Sequence, residues 1–542
     1  MRRHFYHSAF LLQVIFIWIL ALLADTAAAA ATWQEELAGL KAKHLRPKIG
    51  TFGKVSSEFA FIISMDHRFN REKLADFIKT VKLLGTAPQN RSVHEIKSDD
   101  LGTWMITMEI PTKRFGKVIN PIVDLFPQLI SSKRWVASVV RQQYTPNGDE
   151  LPWLKPLYYI DQNTEGNEPG EDTSHLGLQA IRSRRTELQI ISQPPDVKSV
   201  ADMEQFHYLE YYAGRRVIAY FIDSGLDLSH EIFDGIRSKL LSKSSRNWIF
   251  SSRMPSDERS DDHRPFAGFG KHESRYRESA FAHGTQVASQ IIGTIGVAPH
   301  AEPIVVKLES GQGDITLTNN LECYLKIYDH MAMMRRERPD HYAGAVVVQT
   351  FGFGIDNDDL DGGEQNQYYV DFRALMLEIL YLLGHNRNVY TFFAAGNGHP
   401  NEPIDSVPES WVLDAQNIAP KMSLRKAAVV GGVSTRTLLN SYQTGPGVRF
   451  FAPANDIAGP LFGVKTTARG GDFHFIHGTS FSTPLVAGLC ARMITRGHLH
   501  DALDVMEALQ YARAQGGPRV IWDGVRKSDW AAARLRTRMW NN

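Results

Sequence analysis

Cysteine is nearly missing from this chain: there are two in 542 residues, Cys323 and Cys490. Two thiols cannot build the framework that staples small secreted domains, so the fold must rest on an apolar core. Each lies in a stretch of helical pattern; one bridge between them stays open, and small buried apolar residues are the favoured reading. An excess of charge of either sign is missing too. With 60 Lys and Arg against 59 Asp and Glu, the net charge is +1, which leaves no global field to draw nucleic acid or an anionic membrane. Solenoid-type repeats and long low-complexity tracts are absent. So are zinc signatures, a Walker loop and GxSxG, and the glycines of "FGFGIDN" lack the third member of the dinucleotide pattern. What remains, 43% apolar and 22% charged, is the composition of a globular protein with a sizeable core.

Long apolar runs are confined to the amino terminus. Arg2 and Arg3 precede an apolar run from Ala9 to Leu23, and small residues follow at Ala27 to Ala31. The run is about fifteen residues where a spanning helix needs about twenty, which predicts a cleaved signal peptide over 1–31. The protein is therefore expected to be secreted, with no membrane attachment after cleavage; an uncleaved anchor is the competing reading of the same segment.

Residues from about 55 to 143 have their own pattern. Strands are predicted at Phe59 to Met65, Thr103 to Ile110 and Trp135 to Val140, with helical spacing at Leu74, Phe77, Ile78 and Val81 and again over Val118 to Ile130. That order suggests a small α+β domain of the β-α-β-β-α-β (ferredoxin-like) type with one strand unplaced. From Tyr144 to Ser174 the chain is crowded with Asn, Gly, Glu, Asp and Pro, as in an exposed linker. Beyond about residue 215, short apolar runs alternate with helical stretches: Val217 to Ile222, Ile304 to Val306, Ala345 to Val348, Tyr390 to Ala395 and Ala427 to Val433. Runs apolar on both faces suit a mostly parallel sheet flanked by helices, an α/β architecture.

Such sheets place their ligand crevice at the carboxyl ends of the strands. The run from Val217 ends in Asp223-Ser224-Gly225, a carboxylate followed by a glycine turn. "HGTQVASQIIG" from His283 is read as opening a helix whose apolar stripe is Val287, Ala288, Ile291 and Ile292 and whose stop is Gly293. "HGTSFSTPLVAG" from His477 opens a second helix, with Ser480 at its mouth, Pro484 in the first turn and Gly497 as the stop. Between them the run from Tyr390 leads into Gly396-Asn397-Gly398. Each feature has an ordinary structural reading as a turn or a cap. Together they fill every role in acyl transfer: a carboxylate to orient an imidazole, an imidazole to take a serine proton, and a helix mouth plus an amide for an oxyanion.

With "YFIDSGLDLSH" from Tyr220, "GVAPHAEPIVVK" from Gly296 and "FFAAGNG" from Phe392, these motifs resemble the subtilisin-like serine proteases over roughly residues 175 to 530. The order Asp, His, Ser is the subtilisin order, one of three unrelated ones. The resemblance implies Asp223, His283 and Ser480 as a triad, and Asn397 with the Ser480 N–H as oxyanion donors. It implies a substrate pocket with Thr350, Phe351 and Gly352 on one wall, where the family usually has Ser-Leu-Gly, and Ala395 and Gly396 on the other. Gln286 and Ser289 stand where the family commonly has His and Gly, which predicts altered packing only. It also implies an inhibitory propeptide over 32–144, a cut within the linker 145–174 with Arg184-Arg185 as second choice, and a catalytic domain over 175–542. Protein or peptide substrates and a monomer are expected. No cofactor and no catalytic metal are expected; the "NDDLDGG" loop from Asn357 resembles half a calcium site, but Tyr368 stands where a bidentate Glu is needed. The competing reading is a catalytically silent relative that binds peptides in the same groove.

Overall fold

The computed structural model describes 56–63, 92–111 and 136–143, a few residues between 68 and 75, and most of 178–534, leaving out chiefly 227–230, 237–247, 251–273, 308–316, 354–362, 419–423 and 461–472. The expected signal peptide, linker and acidic loop fall outside these residues. Two compact units divide the chain, one of 1–95 with 103–148 and one of 96–102 with 149–542.

Largely within the first unit, strands β1 (Ser56–Ile63), β2 (Ser92–Ser98), β3 (Gly102–Pro111) and β4 (Val136–Gln143) form a sheet in the order β2-β3-β1-β4. β1 runs antiparallel to both β3 and β4. That order suits the β-α-β-β-α-β pattern. β2, "SVHEIKS", is the strand the sequence pattern does not place: its apolar residues are only Val93 and Ile96, and Ile96 is fully buried. Of the two predicted helices, the one over 118–130 lies outside the described residues.

In the second unit, β5 (Leu178–Arg182) and β6 (Phe206–Glu210) pair antiparallel beside helix α1 (Thr186–Ser192). Seven strands form the main sheet: β7 (Val217–Asp223), β8 (Trp248–Phe250), β9 (Glu302–Lys307), β10 (Gly344–Gln349), β11 (Val389–Ala394), β12 (Ala427–Val433) and β13 (Val448–Pro453). They lie in the order β13-β12-β11-β10-β7-β9-β8, and every neighbouring pair is parallel. All residues of β7, β10, β11 and β12 are buried. Helices on both faces therefore explain why these strands read as continuous apolar runs. β8 and β13 escape the sequence pattern because one has three residues and the other begins half-exposed.

The helices are α2 (Ser274–Ile291), α3 (Leu317–Glu337), α4 (Gly363–Arg387), α5 (Glu409–Ile418), α6 (Thr479–Thr495) and α7 (Ala502–Ala508). α6 is buried from Thr479 to Ile494 and packs across β10, β11, β12 and β13 and against α2. Leu485, Val486, Leu489 and Met493 share the main core with Phe221, Val348 and Phe392. Each such side chain contributes roughly 1.5–3 kcal/mol by leaving water. In the last turn of α6, Arg492 is 1% exposed and bonds to Glu210 at 2.7 and 2.9 Å, with Asp523 at 3.4 Å. Cys323 and Cys490 are both free and buried, so the bridge left open by the sequence is not formed.

Candidate active site

The strand order reverses between β7 and β10. From β7 the chain builds β8 and β9 on one side, and only then β10 to β13 on the other. At such a switch the connections diverge and leave a crevice outside the carboxyl ends of the strands. Asp223 is the last residue of β7, and Thr350 directly follows β10. Since Ile222 pairs with Gln349, Asp223 and Thr350 come side by side. The Thr350 hydroxyl donates to Asp223 Oδ2 at 2.8 Å, and the Thr350 carbonyl accepts from Ser480 Oγ at 3.1 Å. One residue thus touches both the buried carboxylate and the serine. Thr350 stood in the sequence reading only as a pocket wall; no local signal marks it as the link.

His283 does not open its helix, contrary to the sequence reading: α2 begins at Ser274, more than two turns earlier. Residues 274–282 carry no Gly or Pro and several good helix formers, so propensity extends the helix where no apolar stripe announces it. The imidazole Nδ1 stands 3.1 Å from both oxygens of Asp223. A carboxylate on Nδ1 fixes that nitrogen as the donor and leaves Nε2 as the base. Burial pushes the imidazole's pKa down, but the charge and hydrogen bond of Asp223 oppose it and leave the pKa raised above 6.5. Gly284 permits the close approach. A Cβ there would lie 2.4 Å from the Gly225 carbonyl and 3.0 Å from Asp223 Oδ1, so only glycine lets α2 pack this tightly on the end of β7.

Ser480 is the second residue of α6, after Gly478 at φ +128°, a conformation that favours glycine. First-turn N–H groups have no acceptor inside the helix, so the Ser480 N–H is available where the helix dipole favours negative charge. Asn397 Oδ1 accepts from the Thr479 N–H at 2.6 Å. Anchored by that oxygen, the exposed Asn397 amide keeps Nδ2 as its donor. Gly396 N–H donates to Thr479 Oγ1 at 2.6 Å, and Gly398 N–H to Gln443 Oε1 at 2.7 Å. Thr479 and Gln443 hold the Gly396–Gly398 turn on the helix mouth, a task the sequence did not reveal. Pro484 is the sixth residue of α6, a turn deeper than predicted.

Of the expected pocket residues, Thr350 and Phe351 are buried, Gly352 is half-buried, and Ala395 is fixed by its N–H to the Val430 carbonyl at 2.8 Å. Ala395 and Gly396 precede Asn397 directly, so the wall and the amide share one turn. Gln286 and Ser289 are buried on α2, where Ser289 Oγ donates to the Gln286 carbonyl at 2.7 Å. His477 is 53% exposed and accepts from the Asp456 N–H at 3.1 Å. Among the described residues no group of His, Cys, Asp and Glu is arranged to hold a metal ion; the loop from Asn357 is outside them.

The sequence model of the Subtilase family matches residues 214–508, more than half of the chain. Subtilisin-like protease 6 of Trichophyton schoenleinii is 22% identical over 354 residues, 65% of this chain and 67% of that protein. Among solved structures, a cold adapted subtilisin-like serine proteinase is similar at 17% identity and a TM-score of 0.42, covering 63% of this chain and 99% of that one. The MycP3 protease from the type VII (ESX-3) secretion system is similar at 17% identity and a TM-score of 0.38, covering 58% and 83%.

Proposed function

Since the chain belongs to the subtilase family of serine-type endopeptidases, we propose that it hydrolyses peptide bonds through Asp223, His283 and Ser480 by way of an acyl-enzyme. The observation that carries this reading is the continuity of the three side chains at the switch point. His283 Nδ1 is 3.1 Å from Asp223, and Thr350 bonds to both Asp223 and Ser480.

In the resting site the Ser480 hydroxyl donates to the Thr350 carbonyl. Rotation about its Cα–Cβ bond releases the hydroxyl towards His283. Ser480 Oγ then attacks the substrate carbonyl, and its proton passes to His283 Nε2. Asp223 stays ionised and stabilises the imidazolium that forms. The Ser480 N–H and Asn397 Nδ2 donate to the oxyanion; one such donor is worth about 2.7–4 kcal/mol of barrier. His283 returns the proton to the leaving amine, whose departure gives the acyl-enzyme, and a water activated by the same imidazole hydrolyses the ester.

The protein is made as a zymogen and secreted. The signal sequence over 1–31 supports export, and the position and strand pattern of the small α+β domain support a propeptide over 32–144, removed within 145–174. The mature enzyme acts as a monomer without a cofactor. Amino-terminal sequencing of exported protein tests the processing, which predicts a first residue within 145–175. Casein hydrolysis tests the chemistry: processed Ser480→Ala should lose several orders of magnitude in kcat, and equal rates for variant and wild type would refute it.

A further inference from the structure

The pocket wall Thr350-Phe351-Gly352 is backed by polar atoms. Phe353 and Val407 form an antiparallel bridge with reciprocal 2.9 Å hydrogen bonds, which lays the segment leading into α5 along the end of this wall. A Cβ on Gly352 would lie 2.4 Å from Ser406 Oγ and 2.6 Å from Glu409 Oε2. A carboxylate and a hydroxyl therefore rest directly on the backbone of Gly352. Glu409 is 0% exposed and Ser406 4%.

Among the described residues neither oxygen of the Glu409 carboxylate has a hydrogen-bond partner, and neither does Ser406 Oγ. The Ser406 hydroxyl and the Glu409 N–H lie close enough to favour the anion without meeting the geometry of a bond. Burial outweighs both and pushes the carboxyl up to about 8. Glu409 is the first residue of α5, where an acid commonly complements the helix dipole. That role calls for a solvated carboxylate or one bonded to first-turn N–H groups, and Glu409 is neither. Glu210, equally enclosed, shows how this protein satisfies a buried acid: Arg492 and Arg496 bond to it, and although burial pushes its carboxyl up, the two guanidinium groups hold it down at about 2. Glu409 has no such pairing among the described residues, and a buried acid with two empty oxygens is costly.

We propose that Glu409, with Ser406, forms the acidic end of the substrate pocket, and that the enzyme prefers Lys or Arg as the residue preceding the scissile bond. This rests on the reading of Ser480 as nucleophile and of Thr350 to Gly352 as pocket wall. Gly352 lacks the side chain that would screen the carboxylate from the wall. An ammonium or guanidinium passing it favours the ionised carboxylate, whose proton leaves to solvent, and supplies donors to both oxygens; the guanidinium fork matches that carboxylate in bidentate fashion. Phe351 and Phe353, edge to face with centroids 5.9 Å apart, give an apolar flank for the aliphatic stem of either side chain.

The test is a set of fluorogenic peptides that differ only in the residue before the cleaved bond (Arg, Lys, Leu, Phe or Glu), turned over by processed enzyme whose active sites are titrated with a fluorophosphonate. Wild type should show kcat/KM for Arg and Lys about 100-fold or more above Leu and Phe. Glu409→Gln should bring the Arg-to-Leu ratio near one, with Glu409→Asp between. A titrated wild type that cleaves after Leu or Phe as fast as after Arg overturns the proposal, as does a folded, fully titrating Glu409→Gln enzyme that keeps the ratio. If the Gln variant does not fold, the wild-type series alone decides. Enzyme that does not titrate at all rejects the nucleophile itself, a separate failure that takes this proposal with it.

Discussion

The Thr350 hydroxyl donates a 2.8 Å hydrogen bond to Asp223 Oδ2 at the centre of the strand switch, in a position that is 5% exposed. The bond supports the ionised form of a carboxylate that is itself 4% exposed. Thr350→Val keeps the shape and removes the donor, leaving a buried acceptor short of one bond at a cost of about 1–3 kcal/mol. Chemical denaturation should show that loss, and kcat should fall with it. Thr350→Ser, which keeps the hydroxyl, should restore most of both.

The raised pKa of His283 fixes the acid limb of the pH profile. His283 must be neutral to accept the serine proton, so activity is lost as pH falls through its pKa. Because Asp223 holds that pKa above 6.5, kcat/KM measured on the free enzyme should fall already at a pH above 6.5. Asp223→Asn removes the charge, so the limb should move to lower pH, while kcat drops by about four orders of magnitude.

Gly284→Ala places a methyl group against the Gly225 carbonyl and Asp223 Oδ1. Either α2 or the end of β7 must give way, and both carry a triad residue. Displacement of a reacting group by about 1 Å costs on the order of 100-fold. Steady-state kinetics should show a fall in kcat of at least that size, disproportionate to any loss of stability.

Arg492 gives the complementary case, stability without chemistry. Replacing it by Met removes the cation bonded to Asp523 and leaves Glu210 with Arg496 alone, and breaking a buried network of this kind costs about 3–5 kcal/mol. Arg436, which is 80% exposed and pairs with Asp456 at 2.8 Å, should change stability by less than about 1 kcal/mol when replaced by Ala. Urea titration of both variants should separate them.

Both thiols are enclosed at 0% exposure, and burial raises their pKa values, so folded protein should resist iodoacetamide. Denatured, unreduced protein should take up two equivalents, since no bridge holds either sulfur.

Much of this architecture is legible in the sequence, and the reasons are local. Strands buried on both faces, such as Val217–Asp223 and Ala427–Val433, announce themselves as unbroken apolar runs. The groups Asp223, His283, Asn397 and Ser480 lie within two residues of glycines because tight turns and close backbone approaches need them. What stays hidden is relational. The second half of the Thr350 role depends on Ser480, 130 residues later. Glu409 gains its meaning only from Gly352, which the bridge between Phe353 and Val407 brings to it. The start of α2 at Ser274 is set by propensity without amphipathic pattern, so periodicity placed it at His283. The two HGT sequences differ in the same relational way: His283 is bonded inside a helix to Asp223, whereas His477 is half exposed before one.

The central claim is that Ser480 is the nucleophile of a triad assembled at the strand switch, and covalent trapping reads it most directly. Processed protein treated with a fluorophosphonate and mapped by tryptic mass spectrometry should carry the adduct on Ser480 alone, with labelling slowed by orders of magnitude in His283→Ala. An adduct on a different residue, or folded and processed protein that hydrolyses peptides while Ser480 stays unmodified, would contradict the account.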